Sequence, residues 1–440
     1  MTWLIYAQFA IFGFFLYAFT PSVTLLRDDE HVSDAIAGLH GTAYAVGAIT
    51  IGAVGARILA RVGRNRGLWL FFATLCAGIA TYTGTTHLTL TLIGALIIGG
   101  SGSGLLLTTT AALVDHHGRL GPAAITEANA VSAAIGLLGP LAVGASVAWG
   151  YGWRTALLLL IPLTAILFLV RRSFGPGIEV PPLHVVDLPS ADLGSADLGS
   201  ADPASADPAS ADVVTEVGAA SVNAPGESAS GGSLGFQFWL SWTLVLLCVS
   251  IEFSLTLWSA QLLRDQDHLS KAAAATGVTA IVGGLALGRL LGVRLAADRD
   301  VDWLLARAFG LNLVGFSVFW VSRNPWLAFF GLAVCGLGMA LQYPLGVARA
   351  IRAAAGTGFG KNVIARSNRA SAQISLGTGI AVGVAPFILG FLADGIGIRN
   401  AFLLVPLLIM VAGVALVLAR RSAHPRRRVR DIKAEHQPAG

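Results

Sequence analysis

A chain of 440 residues that is 55% hydrophobic and only 12% charged is excluded as a water-soluble globule, because soluble domains carry about 25% charged residues. Its net charge of +5 does not point to nucleic acid, since the basic residues sit in short stretches between apolar blocks and form no groove-sized patch. Cys76, Cys248 and Cys335 each lie inside an apolar block, which argues against a disulfide framework or a zinc site, and no charge precedes Trp3 as a cleavable leader would require.

The apolar blocks run to 18 residues or more, the length that crosses a hydrocarbon layer about 30 Å thick. In chain order they predict helices over 3–24, 38–60, 67–84, 89–113, 128–149, 153–170, 237–262, 273–297, 302–321, 325–348, 371–392 and 399–420. Trp3, Trp69, Trp149, Trp153, Trp239, Trp242, Trp303, Trp320 and Trp326 fall near predicted helix ends, where an amphipathic ring prefers the headgroup layer. Lysine and arginine set the orientation. One set of connections, with the C-terminal tail, holds 22 of the 29, including Arg57, Arg61, Arg64, Arg289 and Arg349. The opposite set holds 6: Arg27, Arg154, Arg264, Lys271, Arg323 and Arg399. Arg307 lies inside a span. Both termini are therefore expected in the cytoplasm, which requires an even number of spans.

Leu25–Arg57 aligns without gaps on Leu262–Arg294, with 13 of 33 positions identical, among them Leu-Leu-Arg-Asp at 25–28 and 262–265. His31 matches His268, Ser33 matches Ser270, and Gly47 matches Gly284. Two related halves follow, and duplicated halves place a solute site between them near the midplane. The expected fold is an all-α membrane protein of twelve transmembrane helices in two pseudo-symmetric six-helix bundles. The bundles occupy 1–172 and 236–421, an acidic linker 173–235, and a basic tail 422–440. The linker has nine acidic residues, no lysine or arginine, and a Ser-Ala-Asp pentapeptide repeat from Ser190 to Asp212. Such composition predicts disorder, as a solvated tether or a docking segment.

The 6 + 6 plan with a long central loop resembles the major facilitator superfamily. The loop after helix 2, Ala56-Arg57-Ile58-Leu59-Ala60-Arg61-Val62-Gly63-Arg64-Asn65, is similar to the family pattern Gly-x-x-x-Asp-Arg-x-Gly-Arg-Arg. Arg61, Gly63 and Arg64 match, while Ala56 and Ala60 replace the first Gly and the Asp. In the family that Asp helps latch the halves together, so its loss puts the usual latch in doubt, and Arg61 and Arg64 are left to cap helix carbonyls. Gly136-Leu-Leu-Gly139-Pro140-Leu-Ala-Val-Gly144 in helix 5 resembles the family's antiporter Gly-Pro motif, with the first gap one residue short and Val143 in place of a Gly. Ala385-Pro386 echoes it in helix 11. The other reading of these small residues is close helix contact with a proline bend. The resemblance implies gating roles for Arg57, Arg61, Gly63, Arg64, Gly139 and Pro140.

Ionisable residues inside spans are few, and each is a candidate. Glu252 lies ten residues from Leu262 in helix 7, about 15 Å from the outer end. A carboxyl group there is costly to ionise unless it meets water, a partner or a cation. It is a candidate to carry a proton or hold a cationic solute, or else a protonated structural group. Thr256 and Ser259, at i+4 and i+7, extend a polar stripe. Glu127 and Asn129 open helix 5, where Glu127 is a second proton group or a carboxylate favoured by the helix dipole. Gln8, Tyr17 and Tyr44 in the first half, and Asn312, Gln342, Tyr343, Gln373 and Ser375 in the second, are candidates to line a cavity or to join helices. Snorkelling accounts for Arg289 and Arg307 as well as a cavity role does.

The acidic run Arg27-Asp28-Asp29-Glu30-His31 has a copy at 264–268, which marks an outer loop of architecture rather than catalysis. Gly99–Gly104 lacks the lysine of a phosphate loop. The expectation is a secondary transporter in the cell membrane, monomeric and free of cofactor or metal, that moves a small organic solute on a proton gradient. Efflux by antiport is expected ahead of uptake of a metabolite. A membrane-embedded enzyme built on Asp28–His31, or a sensor without flux, are the lesser alternatives.

Overall fold

The computed structural model describes residues 2–118, 121–173, 234–296, 299–355 and 361–423. The predicted linker, apart from its first residue and its last two, and all but the first two residues of the basic tail lie outside them. In the first half the helices are α1 Thr2–Glu30, α2 Asp34–Val62, α3 Arg64–Thr83, α4 Leu88–His117, α5 Gly121–Gly136, α6 Leu138–Ala148, α7 Trp153–Leu158 and α8 Leu160–Ser173. In the second they are α9 Phe236–Asp267, α10 Lys271–Ala296, α11 Val301–Val321, α12 Pro325–Met339, α13 Gln342–Ala355, α14 Lys361–Ile396, α15 Ile398–Ala401 and α16 Leu404–Ala423.

Four predicted spans are each two segments, for one reason. Proline has no N–H to give the carbonyl four residues back. Pro140 frees Gly136, and the helix breaks at Leu137; Pro162 frees Leu158, and it breaks at Leu159. Pro344 frees Ala340 and Pro406 frees Phe402, again at the observed breaks. Pro21 leaves α1 continuous because the Thr20 hydroxyl donates to the freed Tyr17 carbonyl at 3.3 Å. Counting each broken pair once gives twelve crossings among the described residues. Eleven of these are long and apolar enough to cross a membrane. The twelfth, α3, is 20 residues long with polar residues at both ends.

In the first half α4 packs on α2 and α3, and α1 packs on α5; in the second α12 packs on α10 and α11. The duplication is visible in atomic register. Gly47 of α2 faces the backbone of Leu96 and Gly100, and Gly284 of α10 faces that of Ala333 and Leu337. Gly99 faces the Tyr44 carbonyl, and Gly336 faces that of Ile281. Every pair differs by 237, so the repeat read over 25–57 extends through the fourth crossing. A side chain at these positions would push the backbones apart, so glycine there sets the helix spacing. The halves meet chiefly where α2 lies along α14 and α6 lies along α10.

Candidate functional site: a gap between the halves

At the end of the molecule opposite both described termini, the halves are joined by charge. Asp28 of α1 takes ion pairs from Arg264 of α9 at 2.8 Å and Lys271 of α10 at 2.9 Å, with Arg27 beside it at 2.9 Å. Asp34 accepts from Arg27 at 2.5 Å and from Gln261 of α9 at 3.0 Å. Asp394 of α14 accepts the backbone N–H of Asp34 at 2.8 Å and of Ala35 at 2.9 Å. A carboxylate from the second half thus caps the first turn of α2, where the helix dipole favours negative charge.

The run Arg27–His31, expected as a loop, is mostly helix. α1 continues to Glu30 because Asp29 is satisfied in place, accepting from Trp153 Nε1 at 2.9 Å and Arg154 at 2.5 Å. The chain turns at His31, with φ 54°, and its repeat partner His268 turns the same way, with φ 53°. Asp28 and Asp29 are engaged in ion pairs rather than poised for catalysis.

Below this charged layer the contact becomes apolar. Thr42 donates to the Gly383 carbonyl at 2.7 Å, and Tyr17, Leu137, Val278 and Val282 form a buried cluster across the halves. Past that cluster the same helices become accessible. On α9 Ser254–Leu263 is buried, whereas Glu252 and Phe253 are partly buried; Arg289 of α10, Thr50 and Ala53 of α2 and Ser375 of α14 are exposed. The gap therefore closes at the charged end and opens toward the end that bears the described termini.

Glu252 stands just under the seal. It is near the middle of the 32-residue α9, and among the described residues its carboxyl makes no ion pair at contact distance. Arg289 is the cation within its electrostatic reach. Val278, Val282 and Arg289 are spaced i, i+4 and i+11, so the arginine follows the face of α10 that meets the first half. Its guanidinium lies beside the Tyr17 hydroxyl of α1. Cys248, one turn from Glu252, and Tyr343 of α13 also feel the carboxyl, and the Tyr343 hydroxyl lies beside Thr378 of α14. Five helices thus converge on one polar spot.

The other candidates are distributed elsewhere. The Thr256 hydroxyl folds back on the Glu252 carbonyl at 2.9 Å. Ser259 is fully buried, with no hydrogen-bond partner among the described residues. Gln8 sits inside the first bundle, in a small cavity with Thr108, Thr109 and Arg171. Glu127 accepts from the Tyr6 hydroxyl at 2.6 Å, tying α5 to α1, and Asn129 donates to the Ile125 carbonyl at 3.0 Å. Asn312 is fully buried and its amide lacks partners among the described residues, while Gln342 donates to Ala308 at 3.4 Å. The Gln373 carbonyl accepts from Trp242 Nε1 at 2.7 Å.

At the open end Gly63, with φ 85°, makes the α2–α3 turn, its N–H donating to Leu59 at 2.9 Å. Arg57 and Arg61 are partly or fully exposed. Arg64 forms an ion pair with Asp115 of α4, not a helix-end carbonyl cap. Gly139 meets the Phe14 carbonyl of α1 so closely that a Cβ would lie 2.6 Å from it. Arg289 and Thr378 are what sequence reasoning undervalued: spacing along one helix shows depth but not which neighbour a long side chain meets.

A sequence model described as the Major Facilitator Superfamily matches residues 5–367. Uncharacterised MFS-type transporters from two Pseudomonas aeruginosa strains are 31% identical over 147 residues, spanning 31% of this chain and 34% of theirs. Among solved structures, the chain is similar to a bacterial homolog of the human lysosomal transporter Spinster, inward-facing and unoccupied. The TM-score is 0.68 at 14% identity, over 96% of both chains. It is also similar to a variant of the nucleoside transporter NupG, with TM-score 0.67 at 11% identity over 95% of this chain and 98% of that one. The twelve crossings, the duplicated halves and the gap closed at one end lead to one conclusion: the chain belongs to the Major Facilitator Superfamily, whose members are transporters rather than enzymes and carry small solutes across a bilayer by alternating access.

Proposed function

We propose that the protein exports a small organic solute across the plasma membrane in exchange for protons, with both termini in the cytoplasm and Glu252 as the coupling carboxyl. The observation that carries this reading is a carboxyl at mid-helix, on a partly buried residue beside the gap, with no ion pair at contact distance among the described residues. With the termini inside, the gap faces the cytoplasm. An ionised carboxyl at that depth needs water, a cation or a proton. The groups that face it are Tyr17, Cys248, Arg289 and Tyr343. When the halves rock, the same carboxyl meets the opposite compartment. A proton and a cationic group that compete for it are exchanged, and the resemblance of Gly139-Pro140 to an antiporter motif supports that direction. Uptake with protons is the second reading, supported by Arg289: an anion on the arginine and a proton on Glu252 fit the gap together.

The test is flux in reconstituted vesicles with an imposed pH gradient. Glu252→Gln is expected to abolish gradient-driven flux while leaving thermal unfolding in detergent unchanged. Wild-type flux with unaltered pH dependence in that variant overturns the reading.

A further inference from the structure

Arg289 has two roles open to it: reaching for the headgroups, or facing the solute. α10 runs seven residues beyond it to Ala296, about 10 Å, so a snorkelling side chain would extend along the helix toward that end. Instead its guanidinium lies beside the hydroxyl of Tyr17, a residue near the middle of α1 that belongs to the seal between the halves. The arginine therefore points toward the seal, into the gap. It makes no ion pair at contact distance among the described residues.

The duplication sharpens the point. With the shift of 237, Arg289 corresponds to Gly52 and Glu252 to Phe15. The first half builds the same scaffold without either charge, so neither is demanded by the fold. Both lie on the same side of the gap, close enough to interact and without an ion pair at contact distance.

Charge arithmetic then narrows the solute. Arginine stays protonated in proteins. With Glu252 ionised the pair sums to zero; with Glu252 protonated it sums to +1. In neither state is the site net negative, so a simple monocation gains at Glu252 and loses at Arg289. A simple anion suits the site only while Glu252 is protonated, and it faces a like charge once that carboxyl ionises. A solute with both charges satisfies both groups, and when Glu252 takes up a proton the cationic group of that solute is released.

We propose that the transported solute is amphoteric, its cationic group seated against Glu252 and its anionic group, a carboxylate or equivalent, paired with the Arg289 guanidinium next to Tyr17. This rests on the transport reading above and adds the solute class.

The test uses the full chain purified in detergent, with thermal stabilisation and tryptophan quenching as binding readouts. The probes are size-matched triplets drawn broadly: zwitterionic amino acids, their methyl esters as monocations, and their N-acetyl derivatives as monoanions. Zwitterions are expected to bind the wild type best. Arg289→Gln should weaken zwitterion binding about 10- to 100-fold, the range of a lost charged hydrogen bond, while ester binding is unchanged or stronger. Arg289→Lys should fall between, keeping the charge and losing the planar fork. Glu252→Gln should instead erase the distinction between zwitterion and N-acetyl probe.

Esters binding the wild type as well as zwitterions, no zwitterion binding at all, or an unchanged ratio in Arg289→Gln would each overturn the assignment. Size-exclusion profiles identify a variant that fails to fold, and Arg289→Lys then decides. Proton flux in vesicles separates the two readings: lost zwitterion preference with intact proton coupling sinks the solute class alone, and intact preference without proton movement sinks the coupling alone.

Discussion

At the scale of single residues, two carboxylates of similar chemistry have different work because of their surroundings. Asp28 is held by three cations at 2.8–2.9 Å, whereas Glu252 has no ion pair at contact distance among the described residues. The first is held by its partners, and the second lacks such partners, as the proposed proton exchange requires. Two of Asp28's partners come from the second half, so Asp28→Asn weakens the closed end and little else. A half-buried charged contact of this kind is worth about 1–3 kcal/mol, and 1.4 kcal/mol is tenfold in population. The expected outcome is a roughly tenfold faster alkylation of a cysteine placed at Thr42, just inside the charged layer. An unchanged rate would show that Asp28 does not keep that end shut. Glu252 was legible from depth in an apolar block. Arg289 was visible as a residue but not as a partner, because its meaning depends on Tyr17, 272 positions earlier in the chain.

At the scale of elements, proline and glycine govern the shape of the spans. Each of the four breaks falls three or four residues before a proline, where the freed carbonyl lies. The periodicity of apolar residues runs through such breaks unchanged, so it predicted single helices. Glycines set how closely neighbours approach. Gly139→Val should strain α6 against the α1 backbone, where a Cβ already lies 2.6 Å from the Phe14 carbonyl. The expected cost is about 1–3 kcal/mol, read as a lowered unfolding temperature in detergent. Gly310→Ala is the control: apart from its own helix backbone and chain neighbours, no heavy atom lies within 4 Å of its Cβ position, and helix propensity favours alanine by up to about 1 kcal/mol. Equal effects of the two substitutions would refute the packing account.

At the scale of the molecule, the two halves meet chiefly between α2 and α14 and between α6 and α10. Alternating access requires the closed end to open. A cross-link there should stop the cycle. Thr42 and Gly383 are suited to it, since a Cβ on Gly383 would lie 3.2 Å from the Thr42 Cα. The double variant Thr42→Cys, Gly383→Cys is expected to lose more than roughly nine-tenths of its flux on oxidation, a fall of over about 1.4 kcal/mol in rate terms, and to recover it with a thiol reductant. Flux that survives complete cross-linking would mean that this end does not open.

The amino-acid sequence alone determined the solvent, the number of crossings and the duplication. Hydrocarbon demands that a spanning segment satisfy its own backbone, which for apolar blocks of 18 residues or more means a helix, and a repeated string such as Leu-Leu-Arg-Asp survives in one dimension. Only the tertiary structure decided which polar groups meet. Asp394 capping α2, Arg264 reaching Asp28, and Arg289 turning toward Tyr17 and Glu252 all join residues far apart in the chain, on faces set by helix rotation. Periodicity gives the stripe a residue lies on; packing decides which stripe lies opposite.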